Sequence, residues 1–192
     1  MSDSEGPKFR VEPLDPDRHE RAAFACEQDS LTSYIKQRAN QDVKKRIAAV
    51  YVMTPDGHTI AGYYTLSQYA VDVGDLTAEL ARKLRIPKYD VLPATLLGRL
   101  ARDLKFKAQG LGEMLLMSAL KLALDHSKNI ASLAVVVDAI DEKAREFYLK
   151  YGFIDVEGHT NRLFLPMQSI QQLFPDPSTD NPNEGSSQSA SL

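Results

Sequence analysis

The sequence predicts an α/β or α+β sandwich folded around one sheet, and two observations carry that expectation. Extended and helical stretches follow one another in the order β-α-β-β-α-β-α-β-α-β-β, a mixed order that suits helices laid against a single sheet. Late in the chain, residues 132–140 (SLAVVVDAI) form a continuous apolar run, the pattern of a strand buried on both faces.

The elements follow in chain order. Residues 8–14 alternate apolar and polar, with Phe9 and Val11 and then Leu14 after a proline, and read as a first strand. Asp29 and Ser30 are placed to cap a helix in which Leu31, Tyr34, Ile35 and Val43 recur at helical spacing, with basic residues between them. Residues 47–53 are β-branched and aromatic, hence extended. Pro55, Asp56 and Gly57 signal a turn, and the extended run 58–73 should complete a hairpin. A short helix over 76–85 is closed by Pro87, and a strand over 94–103 follows Pro93. Residues 110–126 predict an amphipathic helix with Leu111, Met114, Leu115, Ala119, Leu122 and Ala123 on one side. After the buried strand, a helix over 141–151 stops at Gly152. Strands over 153–156 and 162–167 and a last helical turn over 168–174 complete the series. Residues 1–7 and the Ser-, Pro- and Asn-rich residues 175–192 are expected to be disordered. One domain over 8–174 remains.

Composition narrows the function classes. No apolar run approaches the roughly 20 residues of a membrane span, and the acidic, polar start does not resemble a signal peptide. Cys26 is the only cysteine, which excludes an intrachain disulfide and a Cys-rich metal site; it reads as a small buried hydrophobe. A cytoplasmic protein without a metal is expected. The net charge of −3 is uneven. Asp176, Asp180 and Glu184 lie in the last stretch with no basic residue, leaving the remainder near neutral. Its basic residues cluster: Lys36, Arg38, Lys44, Lys45 and Arg46; Arg82, Lys83, Arg85 and Lys88; Arg99, Arg102, Lys105 and Lys107. Such clusters either create a local field for an anionic ligand or are solvated faces.

The chemistry concentrates in residues 96–115. A strand ends in a basic loop with Gly110-Leu111-Gly112, and the loop opens directly into a helix. Glycines let backbone approach a ligand closely. The free amides and dipole of a helix start favour phosphate, and Lys107 adds a full charge. A dinucleotide fingerprint would need a third glycine where Leu115 stands, and a nucleotide-binding loop would need Gly-Lys-Ser/Thr, which does not follow Gly112. A glycine-bearing helix start without a ligand remains the bland alternative.

Two motifs in order go further. Lys107-Ala108-Gln109-Gly110-Leu111-Gly112 is followed, after the buried strand, by Ala144 through Phe153 with Phe147-Tyr148 and Gly152-Phe153. This succession resembles the GNAT superfamily of N-acetyltransferases, with its Gln/Arg-x-x-Gly-x-Gly/Ala loop and later A-x-x-F-Y-x-x-x-G-F helix, over roughly residues 8–170. Lysine at the first loop position keeps the charge but loses the forked donor geometry. The resemblance implies a mixed, mostly antiparallel sheet of six to seven strands flanked by about four helices, and acetyl-coenzyme A as cosubstrate. It implies that Leu100, Ala101 and Arg102 serve the pantetheine arm and acetyl carbonyl, and that Lys107, Gln109, Gly110, Leu111 and Gly112 line the pyrophosphate. It makes Tyr148 the proton donor to the leaving thiolate; outside that motif a core tyrosine would be the expectation. Tyr63 and Tyr64 are candidates to face the acceptor. No histidine stands out as a base: His58, His126 and His159 read as solvated residues.

Residues 29–35, 42–47, 61–67 and 93–101 further resemble the GNAT toxins of type II toxin–antitoxin modules. That likeness implies acetylation of the α-amino group of aminoacyl-tRNA and a translation block. It also implies a small DNA-binding antitoxin of ribbon-helix-helix type and a homodimer. If the substrate is charged tRNA, the basic residues Lys36, Arg38, Lys44 and Lys45 of the first helix are expected to meet its phosphates. The acidic tail and acidic overall pI depart from the basic character of tRNA binders. An acetyltransferase of a small amine or protein N-terminus, and a non-catalytic coenzyme-binding module, remain as other readings.

Overall fold

The structure is a computed structural model and describes residues 8–86 and 88–175. The expected disorder of 1–7 and of the tail beyond Pro175, and the helix-closing role of Pro87, lie outside the described residues. Seven strands form one sheet in the order β1-β2-β3-β4-β5-β7-β6. They are β1 (Arg10–Pro13), β2 (Ala49–Thr54), β3 (Gly62–Asp72), β4 (Val91–Arg102), β5 (Ala134–Asp138), β6 (Ile154–Asp155) and β7 (Arg162–Pro166). Every pairing is antiparallel except β4 with β5. The helices are α1 (Asp29–Gln37), α2 (Ala39–Lys44), α3 (Ala78–Lys83), α4 (Leu111–Ser127), α5 (Glu142–Lys150) and α6 (Met167–Leu173). This is the predicted mixed, mostly antiparallel architecture, with six described helices where about four were expected.

The differences have local causes. The first predicted helix is two, broken at Arg38, and the break carries fully buried Ala39 into a core with Ile35, Val52 and Tyr63. Asp29 and Ser30 do not cap it. The cap position is Gln28, without a side-chain hydrogen bond, and Asp29 sits in the first turn, where a carboxylate complements the dipole. β4 begins two residues before Pro93, at a point where pairing with β5 has not started, so the missing N–H breaks no β5 ladder bond. The hairpin turn holds as predicted: the Asp56 carboxylate accepts from the His58 and Thr59 amides at 2.8 and 2.7 Å, and Gly57 takes φ +81°.

The main core forms where α4, α5 and α6 cover the sheet. Leu111, Leu115, Leu116, Ala119, Leu120 and Ala123 of α4 are buried against β3, β4 and β5. Each fully buried leucine contributes on the order of 1.5–3 kcal/mol. The buried face is thus rotated slightly from the predicted one, with Met114 exposed and Leu116 and Leu120 inside. Residues 134–137 of β5 are buried throughout, as the apolar run predicted. Among the described residues no helix is long and apolar enough to cross a membrane.

Candidate active site

The cleft originates in a defect of β4. Its pairing with β5 covers only Thr95, Leu96 and Leu97 against Val135, Val136 and Val137. Just beyond, Gly98 is an extra residue opposite β3, where Thr65 faces Arg99 and Leu66 faces Leu97. Such a bulge bends a strand and interrupts its ladder. A Cβ on Gly98 would lie 3.2 Å from Thr65 Oγ1, tighter than an ordinary contact. β4 then continues to Arg102 without β5 beside it, while β5 ends at Asp138. Two parallel strands splay apart, and α1 closes a third side.

Two cavities fill the wedge, of about 730 and 300 Å³, and both are lined by Leu31, Leu100, Ile140, Ala144 and Tyr148. The smaller extends past Ala101 and Arg102 to Gly112, the start of α4. The larger is bounded by Arg38, Arg99 and Asp138.

The glycine loop passes through the left-handed region twice, at Gly110, where glycine permits it, and at Ala108, where a side chain makes it costly. Ala108 and Gly110 take φ +66° and +70°, and Gly110 caps α4 with no side chain engaging the first-turn amides. Those amides are therefore open to an anion. Nothing lies within 4 Å of a Cβ built on Gly110, and one on Gly112 meets only the Phe147 ring at 3.8 Å. Packing within the protein does not demand glycine at these two places; the φ of Gly110 and the free space beside both are what a ligand would use. Leu111 contributes backbone alone, since its side chain is buried in the core, whereas Lys107 and Gln109 are exposed. Lys107 Nζ is 3.4 Å from Glu27, a carboxylate that also meets Lys143 at 2.8 Å and Arg102 at 3.7 Å.

Tyr148 lies where the cavities meet. Asp141 caps its helix by accepting from the Ala144 amide at 2.7 Å, and Gly152 closes it at φ +86°. The ring packs edge-on against Phe147 and Phe153, with 5.3 Å between centroids in each pair. Its hydroxyl makes no hydrogen bond among the described residues, yet no buried side-chain polar atom is left unpartnered. The hydroxyl therefore reaches the cleft. Burial raises its pKa, so the phenol keeps its proton.

Tyr63 and Tyr64 do not face an acceptor. Both rings are in the core, with Tyr63 donating to the Leu31 carbonyl at 2.7 Å and Tyr64 paired with Ser118 at 3.1 Å. Lys36, Arg38, Lys44 and Lys45 are all exposed on α1, α2 and their junctions, and none joins an ion pair among the described residues. Cys26 is half-buried and its thiol donates to the Gln28 carbonyl. No histidine lines either cavity. Among the described residues no three His, Cys, Asp or Glu side chains converge to hold a metal ion.

Sequence reasoning missed three features. Gly98 carried a signal, since a lone glycine inside a strand pattern suggests a bulge. Arg99, whose guanidinium lies 3.6 Å from the Tyr34 ring centroid, is legible in the sequence only as one member of a basic cluster, and Asp138, held by Arg162 at 2.8 Å, carried no signal.

The arrangement suits group transfer between two ligands: a helix start with uncapped amides on one side, backbone groups along the splayed strand, and a protonated phenol at the junction. A direct check follows. Acetyl-coenzyme A should raise the melting temperature of the wild type. The pair Gly110→Asp and Gly112→Asp, which fills the free space with carboxylates, should abolish that rise whatever the new baseline. An undiminished rise would place the ligand elsewhere.

No family model matches the chain. Among curated proteins it is 31% identical over 182 residues to the probable toxin TacT of Sinorhizobium fredii, covering 91% of this chain and 99% of that one. It is 28% identical over 160 residues to the tRNA-acetylating toxin of Mycobacterium tuberculosis, covering 83% and 93%. Among solved structures it matches AtaT complexed with acetyl-methionyl-tRNAfMet at a TM-score of 0.80 and 27% identity, over 88% of this chain and 100% of that one. It also matches a tyrosine-to-phenylalanine variant of AtaT bound to acetyl-coenzyme A and the C-terminus of the antitoxin AtaR, at 0.73 and 27%, over 87% and 98%.

Proposed function

Since the chain belongs to the family of GNAT toxins, we propose that it transfers the acetyl group of acetyl-coenzyme A to the α-amino group of aminoacyl-tRNA and so blocks translation. The observation that carries this reading is the continuity of the cleft through Tyr148. The side toward Gly112 suits the coenzyme, and the side toward Arg38 and Arg99 suits the anionic acceptor.

A free α-amine titrates near pH 7.7–8.0, so a useful fraction is neutral without a strong base. Its nitrogen attacks the thioester carbonyl, and backbone N–H groups around Leu100, Ala101 and Arg102 stabilise the developing oxyanion. As the C–S bond breaks, Tyr148 gives its proton to the departing thiolate and regains one from solvent. The nitrogen sheds its surplus proton to water. Leu100, Ala101, Arg102 and Gly112 line the pantetheine path. The backbone of Gln109, Gly110, Leu111 and Gly112 receives the pyrophosphate, with Lys107 beside it. Lys36, Arg38, Lys44 and Lys45 meet tRNA phosphates. The acetyltransferase domain spans residues 8–174, and the protein acts in the cytoplasm as a homodimer neutralised by a ribbon-helix-helix antitoxin.

The test incubates the protein with acetyl-coenzyme A and total charged tRNA, then seeks N-acetyl-aminoacyl-adenosine by mass spectrometry. Acetylation of a polyamine or a peptide N-terminus, with no acetylated aminoacyl-adenosine, would defeat the toxin reading.

A further inference from the structure

Glu27 is an unusual acid. It lies at the rim of the smaller cavity, and its carboxylate meets cations from three separate segments: Arg102 at the end of β4, Lys107 before the glycine loop, and Lys143 in the first turn of α5. Lys107 and Lys143 are exposed, where an ion pair taken singly stabilises little. The backbone around Glu27 is also fixed. The Ala25 amide donates to Asp103 at 2.9 Å, the Cys26 amide to Thr32 at 3.0 Å, and the Gln28 side chain to Asp141, the cap of α5, at 2.7 Å. These anchors hold the carboxylate where three positive charges converge. Lys143 and then Lys107 keep that carboxyl below the usual range, so it is fully charged at neutral pH.

Three cations converging on one oxyanion at the mouth of a coenzyme cleft are also what a phosphate needs. We propose that Arg102, Lys107 and Lys143 form a binding site for a phosphate group of the coenzyme, and that Glu27 occupies it as an internal surrogate until the coenzyme displaces it. The inference rests on the acetyltransferase reading. It adds Lys143 and the side chain of Arg102, both outside the glycine-loop motif, as phosphate ligands, and it makes Glu27 a determinant of coenzyme affinity. Glu27 lowers affinity by competing for the cations, and it keeps them from holding other anions when the cleft is empty.

The experiment compares coenzyme A, dephospho-coenzyme A and pantetheine by titration calorimetry at low and high salt. Glu27→Gln removes the charge and keeps the shape; at a rim position it leaves the core untouched. It should bind coenzyme A about tenfold more tightly at low salt, the scale expected for removing one nearby unit charge in a partly screened site. The gain should shrink with salt and vanish for pantetheine, which has no phosphate. Lys143→Met should weaken coenzyme A by about tenfold and leave pantetheine unchanged. If both effects persist with dephospho-coenzyme A, the diphosphate is the ligand; if they disappear, it is the 3′-phosphate. Unchanged or weaker coenzyme binding in Glu27→Gln, or equal effects on pantetheine, would overturn the proposal. A wild type that binds no coenzyme A at all would instead remove the acetyltransferase reading, and this inference with it.

Discussion

Tyr148→Phe should fold as the wild type does, bind acetyl-coenzyme A with unchanged affinity, and turn over about 10²–10⁴-fold more slowly, the scale of a lost general acid. The substitution removes one oxygen and keeps the ring against Phe147 and Phe153. The hydroxyl has no partner among the described residues, so its loss leaves no protein group unsatisfied. A large fall in rate without a fall in stability would therefore report chemistry. The pH profile gives a second readout. Burial lifts the Tyr148 pKa above the ordinary phenol value, so the protonated form persists through the whole neutral and mildly alkaline range. The rate should rise with pH as the α-amine loses its proton near pH 7.7–8.0, with no falling limb from Tyr148 below about pH 10. The variant should keep the rising limb at its reduced rate. Full activity in the variant would return Tyr148 to a packing role.

Neutralising Lys36, Arg38, Lys44 and Lys45 together, each to glutamine, should weaken tRNA binding by about 10²-fold near physiological salt. It should leave acetyl-coenzyme A affinity intact. All four side chains are exposed and none is paired within the described structure, so no internal salt bridge is lost. If each meets one phosphate, the slope of log affinity against log salt should become shallower by roughly 3–4, because fewer counterions are released. Growth arrest on expression of the wild type should be relieved in the variant. An unaltered salt slope would move the tRNA footprint to another surface, with the cluster around Arg82 and Lys83 as the next to test.

The order of most elements, the glycine-loop helix start and the helix that carries Tyr148 can be read directly from residue patterns along the chain. These rest on interactions within a few residues: apolar periodicity in α4, Asp141 accepting from the Ala144 amide, Gly57, Gly110 and Gly152 at positive φ. Local patterns record local energies, so they can be read along the chain. What those elements enclose depends on contacts between distant segments. The bulge at Gly98 lies opposite Thr65, 33 positions earlier, at the point where the pairing of β4 with β5 ends and the cleft opens. Tyr63 and Tyr64 read along the chain as candidates to face an acceptor, but α1 and α4 cover the two faces of β3 and bury both rings. Glu27 meets Lys143 across 116 positions of sequence. Such pairings are fixed by how helices pack on the sheet, a choice made by the whole apolar core. No window of the sequence contains both partners, and the site's charges were therefore visible in the sequence while their arrangement was not.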